Sequence, residues 1–265
     1  MSTFFEKIND LDILLHCDGY EREYFFAECS RLAYKGQKLA SKEFKKVGFT
    51  SYKFCSVEGA QCHIVKNRDY IVIAFRGTEP RQFSDIKADL MAWKRKSRTE
   101  GHVHAGFKNE LDKLWADIKM GLSRKGDRTI FLCGHSLGGA IATVCASRLE
   151  KDVEELYTYG SPRVGGDVFR DNLLVDHCRV VNNNDMVAKV PFWFMGYRHH
   201  GYLTYINHYG NIRTLTFWQK LKDQIRGRWC ALRKFQMFDG IRDHDINKYC
   251  KKLKSLVKIE PTFGD

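Results

Sequence analysis

The chain has 265 residues, 43% hydrophobic and 29% charged, a length that can bury a full core and fits one α/β unit better than two. Lys and Arg outnumber Asp and Glu by 44 to 32, and the resulting net charge of +12 implies attraction to something anionic. No run of about 18 apolar residues occurs, which excludes a bilayer-spanning helix, and with 4 prolines and no repeat or Ser/Gly-rich linker a single domain over 1–265 is expected.

The start, MSTFFEKINDLDILLHCDGYERE, has acids throughout its apolar stretch and no basic lead, so no secretory signal is expected. The 9 cysteines are odd in number, scattered and never in C-x-x-C. They read as reduced core residues of a cytoplasmic protein, not as a disulfide frame or zinc site. Residues 22–35 place Phe25, Phe26, Cys29, Leu32 and Ala33 at helical spacing. Ser51–Val57 and Gln61–Val65, joined by Glu58-Gly59-Ala60, predict a hairpin. Tyr70–Phe75 is apolar at every position, the pattern of a strand buried on both faces and central in a largely parallel sheet. It ends in Arg76-Gly77-Thr78, at the end of the sheet where α/β folds hold ligands.

Residues 79–93 read as a loop and a short amphipathic helix, with Phe83, Ile86, Leu90 and Met91 on one side, placed to act as a lid. A helix is expected from Phe107 to Leu122. Thr129–Ala140 then reads TIFLCGHSLGGA: strand, sharp turn, small-residue helix, with Ser136 at the centre of a G-x-S-x-G. A serine on such a turn takes an unusual φ, and the residues two before and two after must be nearly side-chain-free for strand and helix to approach. Ser136 is the expected nucleophile. The N–H of Leu137 and, from the earlier loop, the N–H and hydroxyl of Thr78 are the expected oxyanion donors. A strand at Glu155–Tyr159, a helix over 167–175 and a strand at Cys178–Val181 complete an alternation that means a parallel, helix-covered sheet.

Serine hydrolases on such sheets order their triad Ser, acid, His. Asp185 stands just after a strand that follows the nucleophile strand, whereas Asp167, Asp171 and Asp176 lie in or beside a helix. Four histidines follow: His199, His200, His208 and His244. Position favours His244, on a loop before a helix at 246–257, where an imidazole can reach both serine and acid. His199 and His200 precede a strand at Tyr202–Asn207 and would serve structure equally well.

Taken together these stretches resemble the class 3, fungal-type lipases of the α/β-hydrolase superfamily. The matching segments are AFRGT (74–78), HVHAGF (102–107), GHSLGGA (134–140), YGSPRVGG (159–166) and VVNNNDMVAKVP (180–191), with GYRHHG (196–201) and DHDINKY (243–249). The resemblance implies an α/β-hydrolase fold with a mostly parallel central sheet flanked by helices. It also implies Ser136 as nucleophile, Asp185 as acid, His244 as base, Thr78 and Leu137 as oxyanion hole and a lid near 79–92. His199 matches a recurrent non-catalytic histidine of that family. The expected activity is hydrolysis of lipid acyl esters through an acyl-enzyme, with no metal or organic cofactor; a soluble short-chain carboxylesterase and a non-catalytic lipase-like interaction protein are the alternatives.

Two further stretches bear on substrate. Phe83 and the run Phe192-Trp193-Phe194 are candidate acyl-groove residues, although core packing would give the same pattern. Phe217–Phe238 carries Trp218, Leu221, Ile225, Trp229, Leu232 and Phe235 at steps of three or four among six basic residues. That is a basic amphipathic helix of the kind that lies on anionic membranes, and a core-packed helix with a solvated basic face would give the same pattern. No nucleic-acid motif accompanies the charge.

Overall fold

The computed structural model describes residues 3–6, 8, 11, 20–77, 93–212 and 242–257. Thr78, the lid stretch with Phe83, and the basic segment 217–238 lie outside the described residues.

The chain builds a seven-stranded sheet in the order β1-β2-β3-β6-β7-β8-β9. Strands β1 (Ser51–Val57) and β2 (Ala60–Lys66) form the expected hairpin, with Val57 opposite Ala60. Its two-residue turn puts Glu58 at φ 47° and Gly59 at φ 86°, the twist that suits a tight hairpin. Strand β3 (Tyr70–Phe75) is buried at all six positions. It is antiparallel to β2 and parallel to β6 (Thr129–His135), so the sheet changes sense at β3, and β6 is the middle strand. Strands β7 (Val153–Tyr159), β8 (Asp176–Asn182) and β9 (Tyr202–Ile206) continue in parallel.

The alternation of β3 explains the two cores. Val72 and Ala74 face one apolar cluster, shared with helices α1 (Tyr20–Leu32) and α6 (Ile246–Leu256). Ile71, Ile73 and Phe75 face the other, shared with α3 (Ala105–Leu122) and α4 (Leu137–Leu149). Each face of a parallel sheet needs such a helical cover, because its strands are apolar on both sides.

Several boundaries differ from expectation. The helix expected over 167–175 stops as α5 (Asp167–Asp171), where Asn172 caps it with its side-chain amide on the Val168 carbonyl, and Leu174 beyond it is exposed. Helix α2 (Gln37–Lys46) carries only Ala40, Glu43 and Phe44 inward, too sparse a stripe to read from periodicity. The hairpin β4 (Lys94–Lys96) and β5 (His102–His104) has strands of three residues, too short for alternation to register. Among the described residues no helix is long and apolar enough to cross a membrane.

Candidate active site

Strand β6 enters α4 through Ser136, whose backbone stands at φ 59°, ψ −130°. That region is sparsely populated and is held only where the surroundings over-determine it. Here the surroundings are backbone. A Cβ on Gly134 would lie 2.7 Å from the Gly139 nitrogen, and one on Gly138 would lie 2.8 and 2.9 Å from the backbone of Arg76 and Gly77. The small residues around the serine therefore let α4 begin directly against the exit of β3. Leu137 is the first residue of α4, so its N–H is among those with no acceptor inside the helix and sits at the positive end of the helix dipole. Thr78, its expected partner, lies outside the described residues.

Ser136, Asp185 and His244 come together in space. The imidazole Nε2 of His244 is 2.8 Å from Ser136 Oγ, and its Nδ1 is 2.9 Å from Asp185 Oδ2 and 3.1 Å from Oδ1. A carboxylate only accepts, so Nδ1 carries the hydrogen and Nε2 accepts from the serine hydroxyl. All three side chains are buried. Such a chain of contacts can take a proton from a serine hydroxyl while a fixed negative charge steadies the imidazolium. Asp185 is partnered further: Oδ1 accepts from the Val187 N–H at 2.8 Å and Oδ2 from the Tyr249 hydroxyl at 2.5 Å.

The loop carrying His244 is pinned by residues that the motifs did not single out. Asn182 donates from its amide to the Asp243 carbonyl at 2.8 Å. The Asp243 carboxylate accepts from the Asn183 side chain at 3.0 Å and from the Asn184 N–H at 3.3 Å. The asparagine run before Asp185 thus ties the Asp185 loop to the residue just before His244. His135, next to the serine, holds the other side: its Nε2–H donates to the His244 carbonyl at 2.6 Å, and its Nδ1 accepts from the Tyr34 hydroxyl at 2.7 Å. Burial, then the neighbouring His244, pushes the His135 pKa well below the usual histidine range. It is a neutral strut. The visible clue was a polar residue inside an apolar strand and three consecutive asparagines; neither discloses its partner.

The remaining histidines have other partners. His199 Nε2–H donates to the Ala188 carbonyl at 2.8 Å, and burial with the nearby Arg179 and Arg163 pushes its pKa down. His200 Nδ1 lies 3.2 Å from His177 Nδ1, whose Nε2 is 2.8 Å from the Thr158 hydroxyl. Asp167 and Asp171 pair with Arg170 on the surface. Of the candidate groove residues, Phe192 and Phe194 stack and Trp193 meets Phe194 edge-on, and the three stand 37%, 66% and 68% exposed in chain order from Phe192. No group of three or more His, Cys, Asp or Glu among the described residues is arranged to hold a metal.

The family model for lipase (class 3) matches residues 72–195. A secreted mono- and diacylglycerol lipase of Fusarium solani is 42% identical over 106 residues, covering 37% of this chain and 32% of its own. A secreted mono- and diacylglycerol lipase of Penicillium cyclopium is 32% identical over 149 residues, covering 49% of this chain and 45% of its own. The chain thus spans less than half the length of these curated relatives. The solved triacylglyceride lipase of Rhizomucor miehei superposes with a TM-score of 0.62 over 83% of this chain and 90% of that one at 20% identity, a likeness of fold. Residues 72–195, the stretch that carries most of β3, Ser136 and Asp185, are thus similar to the class 3 lipases, and the chain has the α/β-hydrolase fold.

Proposed function

We propose that this protein is a serine-dependent carboxylic ester hydrolase acting on lipid acyl esters, acylglycerol or phospholipid, through an acyl-enzyme. The observation that carries the reading is the continuous contact Ser136 Oγ–His244 Nε2 at 2.8 Å and His244 Nδ1–Asp185 Oδ2 at 2.9 Å, at the turn between the middle strand and its helix. His244 takes the Ser136 proton as Oγ attacks the ester carbonyl, and Asp185 holds the imidazole tautomer and steadies its charge. The Leu137 N–H, with Thr78 as second donor, stabilises the oxyanion, each donor typically contributing ~3 kcal/mol. His244 then returns the proton to the departing alcohol, and a water activated by the same imidazole releases the acid.

The relatives named as acting on mono- and diacylglycerol support a lipid substrate. The net charge of +12 supports presentation of that substrate at an anionic surface. For location, the seven described cysteines are buried and free, which supports a reducing, cytoplasmic setting. The relatives are named secreted, so that placement rests on the cysteines alone.

The test is hydrolysis of a chain-length series of acyl esters and phospholipids by the wild type and by Ser136→Ala. The reading requires turnover of long-chain lipid esters that the variant loses. Undiminished turnover in Ser136→Ala sinks the mechanism, and turnover of short soluble esters alone would make the protein a short-chain carboxylesterase.

A further inference from the structure

Phe192, Trp193 and Phe194 form an exposed aromatic cluster, Trp93 is exposed at the start of a strand tied to the same turn, and the backbone beneath the cluster is firmly held. Trp93 is 89% exposed and immediately precedes β4. The Lys94 ammonium crosses to the second segment, donating to the Gly196 carbonyl at 3.1 Å and lying 5.1 Å over the Tyr197 ring. That second segment is a tight turn: Met195 N–H bonds the Phe192 carbonyl and Gly196 N–H the Trp193 carbonyl, both at 3.0 Å. Two arginines lock it from outside the turn. Arg198 donates to the Trp193 carbonyl at 2.8 Å, and Arg163 to the Pro191 carbonyl at 2.9 Å.

Single exposed apolar side chains need no explanation, but a contiguous cluster does. Here Phe192 and Phe194 stack at 5.2 Å, and Trp193 meets Phe194 edge-on at 6.1 Å. Three cations hold the turn in one shape while its rings face water. That arrangement does little for the free protein, and it lowers the ordering cost of inserting the rings elsewhere.

The surrounding charge identifies the occupant. Residues 93–98 and 186–198 contain Lys94, Arg95, Lys96, Arg98, Lys189 and Arg198 and no Asp or Glu of their own, although Arg98 pairs with Asp112 and Arg198 with Asp167 from other segments. Arg95 and Lys96 are exposed and have no acidic partner among the described residues. The turn leaves the loop after β8, whose carboxyl end delivers Asp185, so it belongs to the same end of the sheet as the triad. Tryptophan and phenylalanine beside unpaired cations match the boundary between acyl chains and anionic headgroups.

We propose that Trp193 and Phe194, together with the exposed Trp93, Arg95 and Lys96 of the strand that Lys94 ties to their turn, form a preformed docking surface for an anionic phospholipid bilayer. The purpose of that surface rests on the lipid-ester reading above; its existence does not. It is built from described residues other than the segment 217–238 that the sequence had suggested for membrane contact.

The test is co-sedimentation of the full chain carrying Ser136→Ala, which spares the lipid, with vesicles of phosphatidylcholine alone or with about a third phosphatidylglycerol. The proposal expects binding to the anionic vesicles that weakens at high salt. It also expects about tenfold or greater weakening in Trp193→Ala/Phe194→Ala, from the lost burial of two rings. Arg95→Glu/Lys96→Glu should reduce binding toward the level seen with neutral vesicles, and both variants should unfold at the parent's temperature. Anionic-vesicle binding that the aromatic variant leaves intact, or equal binding to neutral vesicles, overturns the proposal. Because the assay reads no turnover, an inactive wild type would sink the esterase reading and leave this surface standing.

Discussion

Tyr249 donates its hydroxyl hydrogen to Asp185 Oδ2 at 2.5 Å while its oxygen accepts the Asn182 N–H at 3.1 Å. The phenol is fully buried, and burial together with the Asp185 charge pushes its pKa well above the usual tyrosine range. It is therefore a permanent donor. It joins α6, just beyond His244, to the carboxylate that holds the His244 imidazole.

Tyr249→Phe removes that donor and keeps the ring. A hydrogen bond to a charged group contributes about 1.5–3 kcal/mol, so kcat/KM for acyl esters should fall roughly ten- to hundredfold if the loss is realised in the transition state. The fall should appear in kcat with KM little changed, because Tyr249 touches the acid and not the ester. A variant with wild-type kcat would show that Val187 and His244 alone suffice to hold Asp185.

Gly160 is where the triad admits no side chain. Its φ is +55°, and a Cβ there would lie 2.9 Å from His244 Nδ1 and 3.0 Å from Tyr249 Oη, and closer still to Asp185 Oδ2. Gly160→Ala should lose roughly 1–3 kcal/mol of stability from the left-handed backbone. Ester turnover should fall further, by about a hundredfold, because the acid and base must move apart. Chemical denaturation and steady-state kinetics on the same preparation separate the two effects.

The sheet and the strand-turn-helix around Ser136 were legible because their signals are local. Six consecutive apolar residues at 70–75 disclosed a strand covered on both faces, and GHSLGGA disclosed a strand-turn-helix with no room for side chains. What stayed hidden depends on pairs far apart in sequence. Nothing near Tyr249 marks its bond to a residue 64 positions earlier, nor does Asn183 announce Asp243, 60 positions on. The Phe192-Trp193-Phe194 run shows a limit of a different kind. An apolar triplet reads alike in a groove, in a core or on a surface, and here exposure removes it from the core.

His199 and His244 separate structure from chemistry. The family resemblance leaves His199 outside the triad, and its ring bonds the Ala188 carbonyl, three residues beyond Asp185. His199→Ala should loosen the acid loop and lower stability by about 1 kcal/mol, the usual contribution of one such hydrogen bond. Its kcat/KM should stay within about tenfold of the wild type, whereas His244→Ala should lose several orders of magnitude. Comparable losses in the two variants would contradict the assignment of His244 as the base.

His63 offers a pH test of the fold that is independent of catalysis. It is fully buried on β2, with Nδ1 2.7 Å from the Tyr52 hydroxyl and Nε2 3.3 Å from the Ala33 carbonyl, and burial drives its pKa down to about 4. The folded chain therefore refuses a proton that the unfolded chain binds near its reference pKa of about 6.5. Its stability contribution is complete above that reference value and is lost as pH falls toward about 4. Buried Glu23 and Glu28, whose pKa values burial raises, change stability in the opposite sense, so the wild-type curve alone does not isolate the histidine. Subtracting His63→Gln does. The variant should be the less stable at pH 7, having lost the ring's packing. Between pH 7 and pH 5 the gap should narrow by about 2 kcal/mol, because only the wild type carries the penalty of an excluded proton. Urea unfolding of both proteins across that range measures the gap, and a gap that stays constant would mean that His63 titrates alike in the folded and unfolded chains.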